Sequence, residues 1–431
     1  MRKICLTLPT NRECAATISA ISEEADYAAQ HFDVEVHLLI LDSSDEPEFA
    51  GHAKAIGEAQ THRAPNVIVH HLDEARQRDL LQEVIHRADV TKPDLILDLM
   101  LPADVSYGAC TNRAFLIANT LDCESVHRRD SDSRYQVLDG QPVFPIHHEL
   151  MSLGKRAADA ADGVSETALD PAHAHKPVVL VGSSFVGELS VDIGEVKELD
   201  PGIYYDVVSL WAPEQWPDEQ KWQLVDKSFR GAGTDLFTED HSTLTTVDPM
   251  RVDMCNISFR HELYDRVPLP PATNTIGSDY FLMHLVYDTA LPGVLHNRNI
   301  VNFYTAERRT DSGFMDYQLR LTKFFLSMLY FHHVYDRMAM TGELILDEQH
   351  QVRPSAIAEV ARESTRLDRS ENVRRLAALD RSYRKLGGRY AEFADLLAAR
   401  GERLLDEARE DIGDFALLIE AWGALTRASR A

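Results

Sequence analysis

No C-x-x-C pair occurs among the five cysteines, Cys5, Cys14, Cys110, Cys123 and Cys255. An odd, scattered set argues against both a disulfide framework and a zinc ribbon, and fits reduced thiols that fill a core. No stretch reaches the roughly 18 to 20 uncharged apolar residues that a membrane span needs. A signal peptide is missing too, because the short apolar run after Met1 meets Arg12 and Glu13 without a small-residue cleavage site. The expectation is a cytoplasmic protein whose first residues form a strand. Positive charge is scarce: 44 Lys and Arg against 69 Asp and Glu leave a formal charge of −25. Such a chain repels polyanions at long range, which argues against nonspecific binding to nucleic acid or anionic lipid. A nucleotide would still bind where a metal ion reverses the field locally.

With 431 residues, the chain is too long for one ordinary core and fits a large domain plus an attachment, or two domains. Its first hundred residues alternate between two periodicities. Strand patterns at Arg2 to Leu8, Val34 to Leu41 and Val67 to Leu72 alternate with helical spacing at Glu13 to Gln30, Glu48 to Ala59 and Asp73 to Arg87, the last with Asp73 as cap. This alternation predicts a mainly parallel sheet covered on both faces. Tyr135 to Phe144 reads as a hairpin with an Asp139-Gly140 turn. Ala157 to His175 has no apolar stripe beyond Ala and reads as a mobile or extended connection, and Pro177 to Gly182 is another buried strand. From about Asp311 strand signals vanish. Amphipathic stretches follow at Met315 to Met340, Ser355 to Leu386, Tyr390 to Arg409 and Asp414 to Arg427. The run Phe324 to His333 is strongly apolar and reads as a helix buried against the main domain or a second subunit, with no metal role for His332 and His333.

Ligands of such sheets bind at the carboxyl ends of the strands. That edge collects Pro9-Thr10-Asn11-Arg12, Asp42 to Asp45 and the Asp130-Ser131-Asp132 tripeptide, which follows a helical and then a short extended stretch. Two carboxylates one residue apart, where a strand leaves a sheet, present oxygens to a divalent cation that also holds a diphosphate. The bland reading of the same tripeptide is a solvated acidic turn.

Taken in order, these segments resemble a glycosyltransferase of the GT-A fold, of a metal-dependent, family-2-like kind. The resemblance covers about Lys3 to Arg309 and rests on four motifs: the Pro9 to Arg12 turn, Asp42 ending a long strand, the Asn112-Arg113 helix leading into Asp130-x-Asp132, and Met254 to Phe281. The sequence departs from the pattern at Val126 to Arg129, which is more polar than the strand that usually carries D-x-D, and at Ser278-Asp279, where many members have two acidic residues. The resemblance implies an α/β fold, a Rossmann-like, mainly parallel mixed sheet over residues 1–310, with an α-helical C-terminal extension over 311–431. It implies that Pro9, Thr10, Asn11, Arg12, Asp42, Arg113 and Asp130 contact the nucleotide, that Asp132 binds Mn²⁺ or Mg²⁺ with help from Asp130, and that His296 completes the metal site. Asp279 sits where the family keeps the carboxylate facing the acceptor, as a base if the reaction inverts or an acceptor contact if it retains. Its other reading is a cap on the following helix.

The implied activity is transfer of a sugar from a nucleoside-diphosphate sugar to a hydroxyl-bearing small molecule or glycan. Gly182-Ser183-Ser184, Glu188 and Asp192 are further candidates near the donor sugar or acceptor, and Trp211, Trp216 and Trp222 are candidates for stacking or for packing. The helical tail fits either a cover over the acceptor site or pairing of subunits into a homo-oligomer. Two other functions stay open: a nucleotidyltransferase that builds the nucleotide sugar, although the Pro9 to Glu13 turn lacks the Gly-rich loop such enzymes carry, and a noncatalytic nucleotide- or sugar-binding protein.

Overall fold

The computed structural model describes all residues except 60–62, 190, 192 and 304, and not the side chains of 306 and 307. Thirteen strands are present among the described residues: β1 Arg2–Thr10, β2 Val34–Asp42, β3 Val67–Leu72, β4 Ser125–Arg129, β5 Ser133–Leu138, β6 Gln141–Val143, β7 Glu166–Thr167, β8 Leu180–Gly182, β9 Phe185–Gly187, β10 Ser242–Thr245, β11 Asn256–Arg260, β12 Gly293–His296 and β13 Ile300–Asn302. Nine form one mixed sheet in the order β3-β2-β1-β4-β11-β8-β12-β10-β7, and β6-β5-β13-β9 form a second. Strands β3, β2, β1 and β4 run parallel, and β11 lies antiparallel between β4 and β8. This is the mainly parallel mixed α/β sheet that the strand and helix alternation predicts.

Period-2 side chains sort the two faces of β1 and β2. Ile4, Leu6, Leu8, Leu38 and Ile40 pack with Ile18, Ile21 and Ala25 of the helix Ala15–His31. Cys5, Leu39 and Leu41 face a larger core that continues without a break into the C-terminal helices as far as Ala428. There Trp422, fully buried, donates its indole N–H to the Tyr264 carbonyl at 2.6 Å. Phe325, Leu326, Tyr330 and Phe331 are buried in this core, so the apolar run at Phe324 to His333 is covered within the chain. No helix among the described residues is long and apolar enough to cross a membrane.

Three local expectations change. Ala157 to His175 is not a loose connection: Ala157 and Ala160 are buried beside Leu169, Val178 and Leu244, and the Ala157 and Ala168 amides bond to Lys176 and Leu244 carbonyls at 2.9 Å. Ser355 to Leu386 divides into Pro354–Ser364 and Ser370–Leu386 at a turn where the Asp368 carboxylate accepts the Ser370 amide. The two last helices are instead one, Gly388–Ser429, running through Gly413. A helical glycine costs only about 1 kcal/mol, and the flanking Ile412, Phe415 and Ala416 bury enough apolar surface to outweigh it. The expected hairpin is present, with Asp139 and Gly140 at φ 50° and 78°, the left-handed pair that a two-residue hairpin turn requires.

The polarity of β4 has a physical explanation. His127 and Arg129 point to one face, where Arg129 bonds both oxygens of Glu24 at 3.0 and 2.8 Å and reaches Glu149 at 3.1 Å. The His127 Nδ1 atom contacts Glu149 at 2.7 Å, and Tyr135 donates to Glu24 at 2.5 Å. All of these charged groups are buried, so each is tolerable only because the others are there. Arg129→Met should therefore destabilise the fold by about 3–5 kcal/mol, read as a lower urea midpoint. A change under about 1 kcal/mol would show that the two carboxylates do not depend on that guanidinium.

Candidate active site

The main cleft opens at the carboxyl ends of β1 and β4. Pro9 to Arg12 leave β1 there, with the Thr10 hydroxyl donating to the Arg12 carbonyl at 2.9 Å, and Asp130 to Asp132 leave β4 beside them. The cleft holds about 490 Å³ and is also lined by Tyr107, Arg113, Arg128, Arg308 and Arg320. Five arginines (12, 113, 128, 308 and 320) face five carboxylates (Glu74, Asp104, Asp130, Asp132 and Asp316). In a chain of charge −25, this makes the cleft a locally balanced place, less hostile to an anionic group than the surface at large.

Asp132 is ion-paired through Oδ2 with Arg308 at 2.8 Å and with Arg12 at 3.3 Å. Asp130 is more open and meets Arg128 at 3.1 Å. Burial raises the Asp130 carboxyl above its ordinary range; Arg128 opposes the rise and Asp132 adds to it. Two carboxylates crowded in this way form a hard oxygen donor set whose repulsion a divalent cation relieves, and the pair fits Mg²⁺ or Mn²⁺ on that ground. Arg113, on the helix Tyr107–Thr120, is buried and bonds only neutral acceptors, the Gln77 amide oxygen at 2.8 Å and the Met100 carbonyl at 2.7 Å. It has no ion pair among the described residues, so the alternative of an internal salt bridge is not what forms.

A second cavity of about 170 Å³ adjoins the first, and both are lined by Tyr107, Asp130, Asp132, Arg308 and Tyr317. Asp279 lies in this second cavity, in a 3-10 turn at the start of the helix Phe281–Asp288. Its side chain pairs with Arg128 at 3.2 Å, so one buried guanidinium links Asp279 to Asp130 across the boundary. Burial pushes Asp279 up to about 6, against the pull of Arg128 and with a further push from Asp130. The helix cap reading gains no support, because the N-cap of the helix Phe281–Asp288 is Tyr280.

The structure does not bring Asp42 or His296 into either cavity. Asp42 is 1 % exposed; its Oδ2 contacts His52 at 2.7 Å and His71 at 2.8 Å, and Oδ1 accepts from Ser44. The His52 Nε2 atom accepts the Cys14 amide at 3.0 Å, which leaves Nδ1–H for Asp42. Among the described residues, Asp42, His52 and His71 are also the only three or more His, Cys, Asp or Glu whose ligand atoms all lie within 4.8 Å. His296 therefore does not join Asp130 and Asp132 as a third ligand. Its ring is buried and stacked on His148 at 5.3 Å, and the nearby charges are Glu149, Arg129 and Arg298. Arg129 and Arg128 point to opposite faces of β4, so His296 keeps company with the face turned away from Asp279.

Of the other candidates, Ser183 donates to the His296 carbonyl at 2.6 Å, and Ser184 donates to Asp253. Glu188 pairs with Arg309 at 2.8 Å, and Asp192 lies outside the described residues. Trp222 stacks on Tyr205 at 4.0 Å, Trp216 is exposed, and Trp211 lines the second cavity. Sequence reasoning missed Arg128, Arg308, Asp253 and Tyr280. The signal for Arg128 was present as the polarity of β4. The antiparallel β11 starts opposite Arg129, which carries the preceding Val252 to Cys255 to the same edge, and no local pattern announces that.

A model described as a family of unknown function (DUF6271) matches residues 2–431. No curated protein matches the chain. Among solved structures, a mannosyltransferase from Pyrobaculum calidifontis in complex with GDP-Man and Mn²⁺ is 12% identical, with 98% of this chain and 86% of that chain covered and a TM-score of 0.36. Glucosyl-3-phosphoglycerate synthase from Mycobacterium tuberculosis, in complex with Mn²⁺, UDP and glucosyl-3-phosphoglycerate, is 14% identical over 76% of this chain and 80% of that chain, with a TM-score of 0.37. S. aureus TarS in complex with UDP-GlcNAc is 12% identical over 95% and 90%, with a TM-score of 0.37. Those ligands belong to those proteins, and the chemistry of this chain has to come from its own cleft.

Proposed function

The chain belongs to the family of unknown function DUF6271, and we propose, from the geometry of its cleft, that it is a metal-dependent glycosyltransferase using a nucleoside-diphosphate sugar. One observation carries the reading: Asp130 and Asp132 stand at the carboxyl end of β4, on the boundary between an arginine-lined cleft and a cavity that holds Asp279. A cleft for the diphosphate, an acidic pair at its end and a carboxylate beyond it form the order that sugar transfer needs.

Pro9 to Arg12 and Arg113 form the donor side, with Arg113 offering a planar fork to phosphate oxygens. Asp130 and Asp132 would hold a divalent ion, which would supply Lewis-acid stabilisation of the leaving diphosphate worth several kcal/mol. With His296 elsewhere, the donors are carboxylates alone, and the imidazole argument for Mn²⁺ over Mg²⁺ falls away. Asp279 takes the proton of the acceptor hydroxyl as the new glycosidic bond forms. A carboxyl near pH 6 is a better base for this than an ordinary aspartate and is still ionised at neutral pH.

The test is a screen of nucleoside-diphosphate sugars with and without Mn²⁺, followed by product mass. Metal-dependent consumption of one donor supports the proposal. Release of pyrophosphate from a nucleoside triphosphate, with no donor consumed, would replace it with the nucleotidyltransferase reading.

A further inference from the structure

The second cavity differs in kind from the cleft it adjoins. Its walls include Trp211, Phe229, Met254, Phe324, Met328 and Phe331. The Trp211 ring lies 5.1 Å from Phe324, edge to face, and 5.5 Å from Phe229, so the wall is a connected aromatic surface. Phe324, Met328 and Phe331 come from the long helix Asp311–Thr341, which makes the helical C-terminal region part of the site.

Apart from the residues that it shares with the cleft, the polar groups of this cavity are mostly committed: Asn302 donates to the Glu188 carbonyl at 3.1 Å, Ser327 to the Phe324 carbonyl at 2.7 Å, and Asp279 is paired with Arg128. Asp253 accepts hydrogen bonds from both Tyr280 and Ser184. His284 lies flat on Tyr335 at 3.9 Å, and burial pushes it down to about 4, so it stays neutral. Among the described lining residues, Lys227 is the one lysine or arginine that is not also part of the cleft. A sugar or a phosphorylated acid needs a hydrogen-bond partner for nearly every oxygen it buries, because each unpaired one costs about 1–3 kcal/mol. This surface does not provide them. It suits a flat apolar body, and a dry apolar cavity of about 150 Å³ is already enough to hold benzene.

We infer that this cavity is the acceptor site and that it takes a compact, flat, predominantly apolar alcohol or phenol, in preference to a sugar or a phosphorylated acceptor. The inference rests on the transferase reading and adds the acceptor class to it. In the step, the acceptor oxygen bonds to the anomeric carbon. The bond from that carbon to the phosphate oxygen breaks with its electron pair going to the diphosphate, and the acceptor proton goes to Asp279.

Ligand-observed NMR with naphthol as probe tests this on the full chain without donor or metal. Naphthol should bind saturably, glucose should not displace it, and both Met250→Trp, which fills the cavity, and Trp211→Ala, which removes part of its wall, should weaken it about tenfold. Both variants should keep the wild-type affinity for a nucleoside diphosphate with Mn²⁺, which also shows that they are folded. Two results would overturn the inference: displacement of naphthol by glucose, or naphthol binding unchanged in both variants. The two readings fail separately. Naphthol bound as expected with no nucleoside diphosphate binding would remove the transferase reading, and the acceptor assignment with it. Nucleotide binding without naphthol binding would remove the acceptor class alone.

Discussion

Asp132→Ala should lower metal-stimulated transfer by about three orders of magnitude. A metal-held diphosphate is worth several kcal/mol at the transition state, and each 1.36 kcal/mol is about a factor of ten in rate. Asp132 also holds Arg12 and Arg308 in place through one oxygen, so the alanine variant loses two donor-side contacts along with its metal ligand. Asp132→Asn separates the two roles. It keeps an oxygen near both arginines but weakens the hard donor, so it should show a smaller rise in KM and a comparable fall in kcat. Activity of Asp132→Ala within tenfold of wild type, still stimulated by Mn²⁺, would contradict the role given to this residue.

Asp279→Asn should cost about 10² to 10⁴ in kcat, the usual contribution of a positioned general base. The pH profile gives the sign. Burial holds the Asp279 carboxyl at about 6, so below that pH it is protonated and cannot accept the acceptor's proton. The rate of the wild type should fall about tenfold per pH unit on the acid side and level off above neutrality. In Asp279→Asn this acid limb should disappear while donor affinity stays within a few fold. A loss under tenfold with the limb intact would move Asp279 from base to acceptor contact, as a retaining reaction allows.

Much of the fold was legible because its rules are local. Strands β1 and β2 show as apolar runs, and the helix Glu74–Ala88 begins where Asp73 caps it, its side chain accepting the Arg76 amide at 2.8 Å. The gathering of Pro9 to Arg12, Asp130 and Asp132 into one cleft followed from a general property of parallel sheets, the crevice beyond their carboxyl ends, whereas Arg113 was placed with them only by the family resemblance. Asp42 shows where that rule stops. It does end β2 at the correct edge, but His52 and His71, ten and 29 residues away, close over its side chain. His296 fails for a similar reason: its strand ends at the right edge, and its ring packs against His148. Of the second cavity, only Asp279, Trp211 and a helical tail that could cover it were legible; the rest was not, since its walls come from segments as distant as Phe185 and Tyr335.

A diphosphate should bind between these arginines and this acidic pair only when a divalent cation is shared among them. Calorimetric titration of UDP and of GDP into the full chain, with Mn²⁺ and then with chelator, tests it most directly. Saturable binding of at least one of them is expected with Mn²⁺, lost on chelation and lost in the Asp130→Ala, Asp132→Ala double variant. Equal affinity with and without metal, unaffected by the double variant, would contradict it, and so would no binding of either nucleotide.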